Sequence, residues 1–433
     1  MSKLFLGVGR EIITPEIGTC LYGYRPGFHS TAIYDDLRAT AFYFSYQDKK
    51  ALMISLEVCL LNNALVQKIL SLLQDECGID KDCIILSATH THSGPNTAGA
   101  EGWGDIDKDY CYSIFVPKIL AAAKTAIKNA SPVKMGRASG NSLVGINRRQ
   151  LRFDNVIDFG QNPWGIFNPQ MTVISFQNDE GEIVANIIHY GCHGTCAGIN
   201  PEISRDWSGI MVDAIEKESG GITAFFNGPE GDVGPRISNG GTTGRGDLYY
   251  VDELGYIAAR DAHEIFKKIT SYHDAQLNVS HKTLLVPLKK RIPLEEAMLH
   301  FEEYKDNTIN VGGLTRKYYQ DIIESYQNGY VDKDNFELPQ TVIGLGNLYF
   351  APFPLELFSE IGMRIDNAVK DAQVLSLSCS NGDNGYFVTE DALCRGGYEV
   401  LMHCHFKPQQ YCDNADWHLV TQTVEHIEKM MEE

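Results

Sequence analysis

The sequence has no stretch of eighteen apolar residues, so neither a membrane-spanning helix nor membrane insertion is expected. The opening residues, MSKLFLGVGREIITPE, hold no seven-residue apolar core of a secretion signal. No C-x-x-C pair occurs, and the 11 cysteines are an odd number scattered along the chain. That pattern fits reduced thiols better than a disulfide framework, and a cytoplasmic location is the expectation. Positive charge is scarce: 37 Lys and Arg stand against 56 Asp and Glu, a formal net charge of −19. This argues against nucleic acid or an anionic membrane as partner. Internal repeats, low-complexity tracts and a clean linker are also absent. What remains is 433 residues, 43% of them hydrophobic, enough to bury a sizeable core.

Short apolar runs recur, each ending in a polar, Gly-rich turn. Residues 51–56 read as a strand, followed by a helix from about Asn62 to Cys77 with apolar Leu65, Ile69, Leu72 and Leu73 at helical spacing and Gly78 as its stop. Residues 83–86 form the next strand, and 109–130 a second helix bent at Pro117. Four later runs, at 183–188, 222–226, 342–351 and 374–377, repeat this grammar. The expected fold is therefore α/β, with mixed or parallel central sheets flanked by helices. Open α/β sheets gather ligand sites at the carboxyl ends of strands, so the loops after these runs are expected to meet in one crevice. Residues 294–338 are helical, charged and rich in tyrosine, and read as a small helical insertion within a single domain spanning 1–433.

The chemistry-bearing residues lie in those loops. "SATHTHSGP" carries His90 and His92, which an extended segment would point to one side, as a metal or a polarised carbonyl requires; paired strand-capping histidines are the plainer alternative. In "HYGCHGT", His189 and His193 are four apart, but Gly191 and Gly194 break any helix. His193 is the better ligand and His189 the structural residue. Glu356 follows Pro352 and Pro354 and is expected in the first turn of a helix, where a carboxylate is also favoured by the dipole alone. Two histidines and a carboxylate with an open position form a usual catalytic zinc set. "GDVGPR" is a tight turn around Asp232 and Gly234. Residues 402–418 pack His403, Cys404, His405, Cys412, Asp413, Asp416 and His418 together, a candidate second metal site whose spacing nevertheless matches no standard zinc knuckle. Glu57 and Asp206 are lesser candidates, and Gly7-Val8-Gly9 is only a fragment of a dinucleotide fingerprint.

In order along the chain, "GVGREIITP", "LYGY", "YDDLRATAFYF", "ATHTHSGP", "INRRQ", "CHGT", "NGPEGDVGPR", "PFPLELF" and "NGYFVTEDALCRGGYE" resemble the neutral/alkaline non-lysosomal ceramidase family, specifically its N-terminal catalytic domain. The resemblance covers nearly the whole chain. It implies a zinc ion held by His90, His193, Glu356 and Tyr386, with His92, Arg148 and Tyr398 around the substrate carbonyl. The family's loop carries a serine, the expected nucleophile, where this sequence has Gly234. Gly194 replaces a family proline, and the family's C-terminal β-sandwich is not expected within these 433 residues. These departures point away from ceramide.

The expectation is thus a zinc-dependent hydrolase that attacks an amide or related bond of a small soluble substrate with zinc-bound hydroxide. Arg149, Asp232 and Gly234 would contact the substrate, with a homo-oligomer left open. The alternatives are an ester, a lactone or a sugar-like substrate at the same zinc, a cysteine hydrolase using Cys192 or Cys196, and a ligand-binding member without turnover.

Overall fold

The computed structural model describes residues 3–237 and 248–432. Twelve strands form two sheets. The first contains β1 (Leu4–Ile12), β2 (Arg38–Tyr46), β3 (Lys49–Leu56), β4 (Ile84–Ala88), β5 (Ser131–Asn141), β6 (Gln170–Gln177), β7 (Ile183–Tyr190) and β8 (Ile222–Asn227), in the order β8-β7-β6-β5-β1-β2-β3-β4. The second contains β9 (Leu277–Pro287), β10 (Asn335–Leu345), β11 (Leu348–Pro352) and β12 (Gln373–Leu377), in that order. The pairs β3/β4, β7/β8 and β11/β12 are parallel and the others antiparallel. This is the expected mixed α/β class.

Alternation along the strands separates two faces. Leu4, Leu6, Phe42, Phe44, Phe176 and Phe226 of the first sheet pack against Leu277, Ile343, Phe350 and Leu377 of the second. Burying each such side chain stabilises the fold by about 1.5–3 kcal/mol. The opposite faces take helices: Asn63–Cys77 and Val116–Lys128 on one part of the first sheet, Asp206–Ser219 and Leu248–Phe266 on another, and Ser359–Ala368 and Ala415–Glu432 on the second sheet. Gly7 and Gly9 admit the helix Val116–Lys128 to β1. A Cβ on Gly7 would lie 1.9 Å from Ala126 O, and one on Gly9 2.1 Å from Ala122 O.

The first sheet curves until its edges approach. Ser55 Oγ donates to Phe225 O at 2.6 Å, and Asn227 Nδ2 to Thr89 O at 3.2 Å. Residues 378–381 run between those edges: Ser378 N donates to Asn227 O, Ala88 N to Cys379 O and Asn381 N to Leu86 O. Both sheets therefore deliver strand ends to one place.

Several expectations change in detail. The helix expected over 109–130 is a short turn, Lys108–Tyr110, a π-helical turn, Cys111–Phe115, and the helix Val116–Lys128; Pro117 supplies no N–H, and the wider turn sits immediately before it. The run 342–351 is not one strand but the hairpin β10–β11, turning at Gly346 (φ 61°) and Asn347. Within 294–338 stand the helices Leu294–Tyr304 and Asn310–Gln327, with their own small core of Ala297, Tyr318 and Ile322; strand β10 begins at Asn335.

Candidate metal centre

Three β-α-β units end at one point. The loops after β3 and β4 carry Cys59, His90 and His92; those after β7 and β8 carry His193, Glu230 and Asp232; those after β11 and β12 carry Glu356, Cys379 and Tyr386. His90 is not extended as expected: its φ is 66°. Left-handed backbone costs a non-glycine residue on the order of 1–3 kcal/mol, and such strain collects at functional sites. The loop is pinned by His90 N donating to Val58 O, by His92 N donating to Gly194 O and by Gly194 N donating to His90 O. Gly194 leaves no room for a side chain, because a Cβ there would lie 2.7 Å from His90 O. A proline at 194 would also lack the N–H that this contact uses.

Glu356 does not open a helix. Glu356–Leu357 is a two-residue strand paired in parallel with Tyr386–Phe387, and the helix starts at Ser359. The pairing sets Glu356 opposite Tyr386 and so brings two candidate ligands side by side. The prolines mark the bend, but the partner strand lies thirty residues on, out of reach of local sequence reasoning.

His90 Nε2 lies 3.4 Å and His193 Nε2 3.3 Å from Glu356 Oε2, and the Tyr386 hydroxyl is 3.2 Å from His193 Nε2. His90 Nδ1 donates to Cys59 O at 3.0 Å, and His193 Nδ1 to Glu230 O at 2.9 Å. Each ring therefore turns its Nε2 to the centre, where metal ligation would require it bare. Burial lowers His90, but Cys59, Cys379 and Glu356 outweigh it and raise the ring well above its usual value, so a metal ion there would have to displace a proton. Glu356 Oε2 is buried without a hydrogen-bond donor. A carboxylate facing two ring nitrogens across such distances needs positive charge among them, a ring proton or a metal ion. Bonds of about 2.0–2.1 Å at the tetrahedral angle would separate ligand atoms by about 3.3–3.4 Å. The set fits zinc in both spacing and chemistry. Burial holds His193 down to about 3, as a neutral ligand requires. Burial pushes Glu356 up, but His90 and His193 outweigh it and hold the carboxyl well below its usual range.

Arg148 is fully enclosed. Its Nη2 donates to the Tyr386 hydroxyl at 2.8 Å and its Nε to Glu399 Oε1 at 2.9 Å. Burial raises the Tyr386 phenol well above its usual value, and Arg148 opposes that rise. Arg149 Nη1 donates to the other oxygen of Glu399 at 2.6 Å, so one carboxylate holds two guanidinium groups. His403 Nδ1 donates to Tyr386 O at 3.0 Å. His92 Nε2 is 3.3 Å from His90 Nε2, and its Nδ1 is unpartnered. His92 and Tyr398 line a small cavity over Glu356.

Arg149 and Asp232 lie elsewhere, on the wall of a larger cavity of about 710 Å³ that none of the four candidate ligands lines. Asp232 accepts from Ser359 N at 2.7 Å and caps the helix Ser359–Ala368. Gly234 is buried in a short strand, opposite Ile146. His189 Nε2 donates to Ser376 O, a structural role. Asp206 accepts from Cys196 N and Ala197 N and ties down the loop behind His193; Glu57 Oε2 accepts from Arg38 N. The 402–418 residues disperse: His405 meets Thr315, His418 meets Asn414, and no metal-ready group forms there among the described residues. Cys59, Glu230, Cys379 and Glu399, all packed around the centre, were not singled out as functional from the sequence, and His403 was noted only as part of the 402–418 cluster. Glu230 and Glu399 sit inside motifs that carried the resemblance, which was the available signal.

The family described as neutral/alkaline non-lysosomal ceramidase, N-terminal, matches residues 4–247. Neutral ceramidase A of Dictyostelium discoideum is 29% identical over 261 residues, covering 54% of this chain and 36% of that protein. Neutral ceramidase of Pseudomonas aeruginosa is 24% identical over 173 residues, covering 37% and 25%. The matches thus span about a third or less of these curated relatives' length. The crystal structure of the Pseudomonas aeruginosa neutral ceramidase superposes with a TM-score of 0.76 at 20% identity, over 99% of this chain and 75% of that one. The chain is a member of the neutral/alkaline non-lysosomal ceramidase family and has its fold.

Proposed function

We propose that this protein is a zinc-dependent hydrolase that cleaves an amide bond of a small substrate, with water rather than a serine as nucleophile. The observation that carries the reading is the meeting of His90 Nε2, His193 Nε2 and Glu356 Oε2 at 3.3–3.4 Å around a donorless carboxylate oxygen. Glycine at position 234 removes the side-chain nucleophile. Family membership supports hydrolysis of a C–N bond other than a peptide bond. His90, His193, Glu356 and Tyr386 would hold the ion. When bound, zinc supplies Lewis acidity and brings the pKa of water to about 7.

The chain's own groups do the rest. Cys59 O and Glu230 O fix the tautomers of the two histidines. Arg148 favours the anionic form of Tyr386 by donating to it. His92 and Tyr398 face the cavity and stabilise negative charge as it develops on the substrate carbonyl oxygen. Arg149 shares the carboxylate of Glu399 with Arg148, and Asp232 accepts from Ser359 N at the start of the following helix. Eleven free cysteines suit a reducing compartment, and we place the protein in the cytoplasm. No helix among the described residues is long and apolar enough to cross a membrane.

The cysteine alternative finds little support. Burial raises the Cys192 thiol well above its usual value, and its Sγ faces His193 O. A panel of amides, esters and lactones, assayed with and without a chelator, tests the proposal. The expected result is amide turnover that falls at least about tenfold on chelation and returns with zinc. Turnover that resists chelation and is lost on thiol alkylation would overturn it.

A further inference from the structure

The cavity over Glu356 admits water-sized spheres to only about 40 Å³. Pockets for drug-sized ligands run to about 300–1,000 Å³, and one water needs about 10–15 Å³ on a comparable measure. The space beside the candidate ligands therefore holds a few heavy atoms. Apolar side chains from three segments narrow it: Trp103 from the loop after β4, Leu314 from the helix Asn310–Gln327, and Met402 and Phe406 from the helix Tyr398–His405 and the residue after it.

These segments are fastened to one another. Asn310 N donates to Gly102 O at 3.0 Å, and Arg316 Nη2 to Glu101 Oε1 at 2.9 Å. A Cβ on Gly102 (φ 84°) would lie 2.5 Å from Asn310 O, so the loop and the helix touch backbone to backbone. Thr315 bonds His405, and Tyr318 stacks on the same ring at 4.7 Å. Leu314 is thus held between partners on both sides. Only a single carboxylate, Asp383, adds charge to the lining beyond the groups at the centre itself.

From these observations we infer that the substrate portion lying beside the metal is short, of acetyl size, and that Trp103 and Leu314 set this limit by stopping a longer chain. The helical insertion, through Leu314, is then a specificity-determining element. This rests on the zinc reading above and deepens it by naming a class: short-chain N-acyl compounds.

Hydroxamates test it without requiring turnover. They chelate a metal through two oxygens and place an alkyl tail where an acyl group would lie. The zinc-loaded full chain would be titrated calorimetrically with acetohydroxamate, butyrohydroxamate and octanohydroxamate, with bound zinc measured in parallel. The expected result is that acetohydroxamate binds at least about tenfold more tightly than octanohydroxamate. Leu314→Ala and Trp103→Ala, with zinc retained, should shrink that ratio about tenfold. Octanohydroxamate binding as well as acetohydroxamate in the wild type would overturn the inference and leave the metal centre standing. So would zinc-loaded protein that binds no hydroxamate. Failure to hold zinc would overturn both readings. The wild-type series decides the question even if a variant fails to fold.

Discussion

At the scale of single residues, Tyr386 depends on what surrounds it. Burial works against its ionisation, Arg148 works for it, and His403 holds its carbonyl. Arg148 is buried, and Tyr386 and Glu399 each take one of its donors from within the protein. Arg148→Gln should therefore lower zinc affinity about 10–100-fold, the usual effect of losing a group that supports a ligand. Competition with a chromogenic chelator measures this, and unchanged affinity would contradict the role. His90, His193 and Glu356 were legible as residue types, because their chemistry is that of a zinc set. Tyr386 was legible only through the family resemblance, since a phenol fits no ligand spacing. The left-handed φ of His90 was not legible at all, because contacts with Val58 and Gly194 impose it.

At the scale of elements, local signals were read well and distant pairings poorly. The helix Asn63–Cys77 has its cap in Asn62, whose side chain accepts from Ala64 N and Leu65 N, and its stop in Gly78 at φ 65°. The Glu356–Tyr386 bridge has no local signature, and the β10–β11 turn was hidden within an apolar run. Gly7 and Gly9 prove to be helix-packing glycines, which a motif search cannot reveal. Gly7→Ala would force the helix Val116–Lys128 outward and should cost about 1–3 kcal/mol, as overpacking does; urea unfolding would show it as a lower midpoint. Glu57, at the end of β3, is pushed up to about 7 by burial, against the lowering pull of Arg205 and Arg38. A carboxyl raised in the folded state contributes stability below its unfolded value of about 4.3, and loses it as pH rises through about 7. Between pH 5 and 8 the wild type should lose up to about 3 kcal/mol through this group. Glu57→Gln should lose correspondingly less, read from urea midpoints at each pH. An unchanged pH slope would sink this assignment.

At the scale of the whole molecule, the site follows from the topology. Three parallel pairs send six carboxyl ends to one point, and the curved first sheet brings its own two edges together there. The convergence of Gly-rich loops was legible from the recurring strand-and-turn grammar. The way the first sheet's edges meet was not, because the segment between them, residues 378–381, looks like an ordinary polar loop. The account's central claim is that this convergence builds a metal centre. The most direct test is elemental analysis of purified wild-type protein beside His90→Ala and Glu356→Ala, with circular dichroism to show that each is folded. The account predicts one tightly held zinc per wild-type chain and its loss from both folded variants. Wild-type protein that contains no metal and takes up none when zinc is added would contradict it.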